Sequence, residues 1–244
     1  MDTGEYLYLV NYYGQFSQER LLELQNIYGN ILLDNTHAFF QEPLGTIPVL
    51  YSCRKFFGLP DGAYLSLGQQ KHSTIDILPE DSSAERMQHI LGRYEHSASE
   101  YYSSMLNTAH NLCSEPVKRM SRLTQNLLKG IDYQRVCNIR NANYATLSEV
   151  LDSENQLTLI PQTGPFVYPL YCRDGIRMRK RLAEEKIFVP TYWSNVIQEM
   201  PEKSLDYDYA ANILPLPCDQ RYGTEEMERI LIVLKRLMKG QKDI

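Results

Sequence analysis

Tyr6-Leu-Tyr-Leu-Val-Asn-Tyr-Tyr13 is a run of aromatic and branched residues that stops at Gly14, and this pattern predicts a strand leaving a sheet. A helix is expected next. Ser17 offers an N-cap oxygen, Leu21, Leu24, Ile27 and Tyr28 recur at helical spacing, and Gly29 stands where a left-handed cap residue is favoured. Ile31-Leu-Leu33 then supplies a second strand. A strand, a crossover helix and a strand within about 30 residues make a βαβ unit, whose parallel strands bring their carboxyl ends to one edge of the sheet. Ligands of open α/β sheets bind along that edge.

Asp34 closes the second strand and is followed by Asn35-Thr-His37. The next apolar run, Ile47-Pro-Val-Leu-Tyr-Ser-Cys-Arg-Lys55, reads as a third strand that ends in Ser52 and Lys55. A carboxylate and an amine from neighbouring strand ends are the two groups that pyridoxal phosphate requires. The carboxylate keeps the cofactor's ring nitrogen protonated, and the amine condenses with its aldehyde and later carries a proton. Asp34 and Lys55 are the candidates. The Ser52 hydroxyl is placed to reach the phosphate, and His37 to stack on the ring or orient the carboxylate.

Each residue also has a plainer reading. A buried aspartate at a strand end commonly caps a helix or accepts structural hydrogen bonds, and Arg54-Lys55 alone is an ordinary basic turn. His37 is equally well explained as a satisfied structural histidine. The pairing of Asp34 with Lys55 favours the functional reading.

Leu9-Val-Asn-Tyr-Tyr-Gly14, Leu33-Asp-Asn-Thr-His-Ala38, Ser52-Cys-Arg-Lys-Phe-Phe-Gly-Leu-Pro-Asp-Gly-Ala63 and Gly164-Pro-Phe-Val-Tyr-Pro169 carry a family resemblance. They are similar to the DegT/DnrJ/EryC1/StrS family of pyridoxal-phosphate aminotransferases, in which nucleotide-sugar aminotransferases dominate. The resemblance runs on through Tyr192-Trp193 and Leu214-Pro-Leu-Pro217. It implies an α/β fold, with part of the large domain of a fold type I pyridoxal-phosphate-dependent transferase (a mostly parallel sheet) and a small α+β C-terminal domain. It further implies that Lys55 condenses with the cofactor, Asp34 faces the pyridine nitrogen, His37 lies beside the ring and Ser52 sits at the phosphate. The expected reaction moves an amino group, with glutamate as donor, to a nucleotide-linked keto-sugar of polysaccharide or amino-sugar biosynthesis. The family's site lies at a dimer interface, so a homodimer is expected.

Relatives carry a substantial portion before the strand at Tyr6, and Ser52 stands closer to the Ser-x-x-Lys spacing of the wider aminotransferase fold than to the sugar branch. Two other classes therefore remain open. One is a truncated or degenerate homologue that serves as a non-catalytic structural or regulatory subunit. The other is a sugar dehydration, in which histidine normally replaces the lysine; Lys55 argues against it.

The 244 residues are 43% hydrophobic and 23% charged with net charge −5, a balance that offers nucleic acid no basic surface. No apolar run approaches the ~20 residues of a membrane span, and the amino terminus lacks the basic and apolar regions of a signal peptide. A cytoplasmic protein with small-molecule partners and no membrane partner is expected. Cys53, Cys113, Cys137, Cys172 and Cys218 are scattered without a C-x-x-C pair, which suits reduced core thiols. His72, His89, His96 and His110 are too dispersed for a metal site, and His89 with His96 reads as a solvated face.

Helical periodicity is expected over 83–113, with a break near Gly92, and again over 117–128 and 133–151. The domain boundary is placed there, giving a large-domain remainder with linking helices at 1–130 and a C-terminal domain at 131–244. Within the latter, Leu157–Ile160, Phe166–Tyr171 and Ile187–Val189 are expected as strands. Asp174 to Lys186 reads as a basic helix, and the run of Arg173, Arg177, Arg179, Lys180 and Arg181 suits a solvated face better than contact with a sugar nucleotide's phosphates. Tyr192-Trp193 suits a core or interface role better than a substrate contact. A final helix starts at Thr224, with Met227, Ile230, Leu231, Leu234 and Leu237 on one face.

Overall fold

A computed structural model describes residues 4–68 and 74–239 of the chain. They form two compact units, one of residues 4–11 with 16–68 and 74–132, the other of Tyr12–Gln15 with residues 133–239.

The first unit holds a four-stranded sheet in the order β1 (Leu7–Val10), β2 (Ile31–Asp34), β3 (Val49–Ser52), β4 (Ala63–Ser66). The first three strands are parallel and β4 returns antiparallel. The crossover helix α1 (Gln18–Tyr28) starts at Ser17, whose hydroxyl accepts the Arg20 N–H, and stops at Gly29, with φ 76°. Each signal was legible. Leu21 and Leu24 bury against Ile31, Leu33, Ile47, Val49 and Tyr51, so one face of the sheet is covered by α1. Ile27 and Tyr28 are instead exposed.

The first strand is shorter than expected. Asn11 turns the chain: its Oδ1 accepts the Phe16 N–H, and Tyr12–Gly14 coil into a 3-10 turn with Tyr13 at φ 56°. The 83–113 segment also differs. It divides into a short 3-10 turn and α2 (Gln88–Glu95), then α3 (Tyr102–Ser114), with the break at 96–101 rather than at Gly92. Gly92 continues the helix and leaves space for the Tyr101 ring, which a β-carbon there would overlap. Leu91, Tyr94, Tyr102 and Leu106 are exposed, whereas His89 is buried rather than solvated. The helix expected over 117–128 begins later, as α4 (Arg122–Lys129). Residues before it run extended, where Arg119 bridges to Glu80, and Ser121 caps the helix through Thr124 N–H.

In the second unit, α5 (Tyr133–Leu151) presents Cys137, Arg140, Asn143, Leu147 and Leu151 on its buried face. β5 (Val167–Tyr171) and β6 (Ile213–Pro217) pair antiparallel. Leu147 and Leu151, Tyr168 and Leu170, Leu214 and Leu216 join one core with Met178 and Leu182 of α6 (Gly175–Glu184) and with α9 (Thr224–Lys239). Two short helices, α7 (Ser194–Glu199) and α8 (Leu205–Asn212), precede β6. All five residues expected on the inner face of the last helix are buried.

Two expected strands do not form. The Leu157 and Ile160 N–H groups donate to the side chains of Asn155 and Gln15, so no ladder develops at 157–160. Ile187 N–H closes back on Leu182 O, and Lys186 stands at φ 62°, so Ile187 and Val189 reach the core from the loop that follows α6.

The basic face of α6 is divided. Arg179 is buried, and its guanidinium donates to the Ala210 and Ala211 carbonyls at the end of α8, where unpaired helix carbonyls need donors, and to the Ile213 carbonyl at the start of β6. Arg173, Arg177 and Lys180 are exposed as expected. Tyr192 and Trp193 pack within an aromatic cluster with Tyr12, Tyr13 and Phe166. All five cysteines are free thiols; four are buried, but Cys113 is exposed and is no core thiol.

Candidate functional site

Strand register decides which side chains share the sheet face opposite α1. Asp34 pairs with Val10 on one side and Leu50 on the other, so it shares its face with Tyr8, two residues before Val10, and with Ser52, two residues past Leu50. The alternation agrees: Ile31, Leu33, Val49 and Tyr51 are buried while Leu32, Asp34, Leu50 and Ser52 are half-buried.

A buried polar network holds the carboxyl edge of this sheet. Asn11 Nδ2 donates to Asn35 Oδ1 at 2.9 Å and to Gln41 Oε1 at 2.7 Å, while Asn35 Nδ2 donates to the same Gln41 oxygen at 3.1 Å. Gln41 Nε2 donates to Phe16 O, and Tyr51 donates to Gln41 O. Asn11 and Asn35 are fully buried. Their donors and acceptors are matched, so the network rigidifies the loop after Asp34 rather than destabilising it.

Asp34 is gripped at both oxygens. Oδ1 accepts the Thr36 N–H at 2.8 Å, an Asx turn, and Oδ2 accepts the Tyr8 hydroxyl at 2.6 Å. His37, three residues on, is buried, and its pKa is pushed down to about 3, chiefly by burial and next by the Lys55 charge, with Asp34 opposing. The imidazole is therefore neutral at pH 7. Lys55 lies in the turn after β3, past the strand end at which it was expected. Its pKa is lowered by burial, then by Arg54, with Asp34 pulling the other way. The side chain is nonetheless exposed, which limits how far burial acts on the amine.

Asp34, His37 and Lys55 thus lie within electrostatic reach of one another, and Ser52 lies on the face that Asp34 occupies. The turn carrying Lys55 is closed by Cys53 N–H to Gly62 O at 3.1 Å. Beside it, buried Asp61 accepts the Ser121 N–H at 2.8 Å and the Ser121 and Thr124 hydroxyls, which fastens the turn to α4. Tyr8, Asn11 and Asp61 all position this edge, and none was singled out as a site residue. Tyr8 and Asn11 read as strand residues, and Asp61 stood only within the motif Ser52 to Ala63.

An open, mostly parallel sheet with this edge, followed by an α+β unit, is the fold of the fold type I pyridoxal-phosphate-dependent transferases. More narrowly, the chain folds as the DegT/DnrJ/EryC1/StrS-type sugar aminotransferases do, which bears out at the level of fold the resemblance read from its motifs. The structure of DesV from S. venezuelae is 16% identical at a TM-score of 0.56, over 95% of this chain and 64% of that one. Spr1654 of Streptococcus pneumoniae, described as a sugar aminotransferase in its PLP form, is 14% identical at 0.59, over 97% and 69%. A DegT DnrJ EryC1 StrS aminotransferase from Brucella abortus is 13% identical at 0.55, over 93% and 63%. The chain therefore spans about two thirds of the length of these structures. No protein-family model and no curated protein matches the sequence. Among the described residues, no helix is long and apolar enough to cross a membrane.

Proposed function

We propose that the chain is a pyridoxal-phosphate-dependent aminotransferase subunit that transfers an amino group, with glutamate as donor, to a nucleotide-linked keto-sugar in amino-sugar or polysaccharide biosynthesis. The supporting observation is that Asp34, His37 and Lys55 lie within electrostatic reach of one another at and beyond the carboxyl ends of β2 and β3. A carboxylate, a neutral imidazole and an amine of lowered pKa are a donor set that fits the cofactor. When bound, pyridoxal phosphate supplies an aldehyde that captures amino groups and a cationic ring that withdraws electrons from the substrate carbon.

The chain's own residues divide the remaining work. Asp34 holds a proton at the ring nitrogen. Its fixed orientation, with one oxygen on a backbone N–H, removes the need to reorganise. Lys55 would hold the cofactor's aldehyde carbon through its amine, whose pKa is lowered chiefly by burial, and the same amine would carry a proton to and from the substrate carbon. Neutral His37 packs beside the ring without adding a charge that would compete with the ring nitrogen for Asp34. Ser52 donates to the phosphate. A second copy of the chain completes the site in a cytoplasmic homodimer, as in the family resembled, with domains at 1–130 and 131–244.

Mixing the purified protein with pyridoxal phosphate tests this directly. A visible absorbance band is expected, and borohydride should fix the cofactor on the peptide containing Lys55. Lys55→Ala should show neither. Absence of the band in the wild-type protein overturns the proposal.

A further inference from the structure

The Tyr8 hydroxyl donates to Asp34 Oδ2 at 2.6 Å, a length within the usual range for a hydroxyl bound to a carboxylate oxygen. The contact crosses from β1 to β2 along the shared sheet face, since Tyr8 stands opposite Leu32 and Asp34 opposite Val10. Burial does not force it. Tyr8 is 52% exposed, so its hydroxyl has water as an alternative partner, and strand geometry instead aims it at the carboxylate. The other oxygen, Oδ1, is committed to Thr36 N–H, so a ring nitrogen paired with Asp34 meets a carboxylate whose charge is already shared.

We propose that Tyr8 is a positioning residue for the cofactor site: by donating to Oδ2 it fixes the carboxylate and weakens its hold on the ring-nitrogen proton. The inference rests on the reading of Asp34 as the ring-nitrogen partner. A hydrogen bond donated to a carboxylate stabilises the charged form and makes it a weaker acceptor for any second donor. Tyr8 thereby sets the ring below full protonation and so adjusts the strength of the electron sink. A chain with an apolar residue at this position would hold the same ring more firmly cationic.

Ring-nitrogen-15-labelled pyridoxal phosphate bound to the wild-type protein, Tyr8→Phe and Tyr8→Leu provides the test, read as the nitrogen-15 chemical shift across the neutral pH range. Both variants should move the signal toward the protonated limit, with the ratio of protonated to neutral ring rising about threefold to tenfold, the worth of one lost hydrogen bond at a water-accessible position. Tyr8→Leu separates the hydroxyl from the ring, because a packing role would affect it more than Tyr8→Phe. Titrations that coincide with the wild type, or that move the opposite way, overturn the role of Tyr8 and leave the aminotransferase reading intact. A wild-type protein that takes up no labelled cofactor overturns that reading, and this inference with it.

Discussion

A β-carbon on Gly62 would stand 2.9 Å from Cγ2 of Thr124, whose hydroxyl donates to the neighbouring Asp61. The turn carrying Lys55 and the start of α4 are therefore in direct contact, and Gly62, at φ +108°, adopts backbone angles that side chains disfavour.

Asp61→Ala removes the acceptor of three donors, two of them on Ser121, in a site where water has little access. A loss of about 3 kcal/mol is expected, and Gly62→Ala should cost about 2 kcal/mol through strain and contact. Urea unfolding followed by circular dichroism measures both. A midpoint unchanged by Asp61→Ala would mean that this junction is not what holds the turn.

His37 predicts a pH dependence with a definite sign. Its pKa falls from the usual 6.5 to about 3 in the fold, so below pH 6.5 the unfolded chain takes up a proton that the folded chain refuses. Stability contributed by the neutral imidazole is complete above pH 6.5 and falls as pH drops toward 3, by about 2 kcal/mol on reaching pH 5. His37→Gln should flatten this part of the stability curve. An equally steep decline in the variant would assign the effect to other groups.

Arg179 separates a buried charge from its solvated neighbours on one helix. Arg179→Met leaves three carbonyls at the junction of α8 and β6 without this donor and should cost about 3 kcal/mol, whereas Lys180→Ala, one residue on, should stay within about 0.5 kcal/mol. Thermal melts of the two variants make the comparison. Equal melting temperatures would return Arg179 to the solvated face that the charge pattern suggested.

The legible part of the molecule is the part governed by near neighbours in sequence. Ser17, Gly29 and the leucines between them specify α1 because capping and helical spacing act within a few residues. The same holds for α5 and α9, both found where periodicity placed them. Ile187–Val189 failed for the complementary reason. Its alternation is right, with Phe188 exposed between two buried residues, but a strand also needs a partner, and alternation says nothing about one.

At the candidate site, Asp34, His37, Ser52 and Lys55 could be named from their positions after apolar runs. What they do to one another could not. The low pKa of His37 comes chiefly from burial and next from Lys55, brought close across an intervening strand and loop, and the Tyr8 bond needs a parallel register fixed by hydrogen bonds between strands. The amino-acid order by itself determined where the chain turns, coils and extends, since those preferences are local. Only the tertiary structure decided which polar groups meet, because such pairings join residues far apart in the chain and depend on burial, which leaves no periodic trace in sequence.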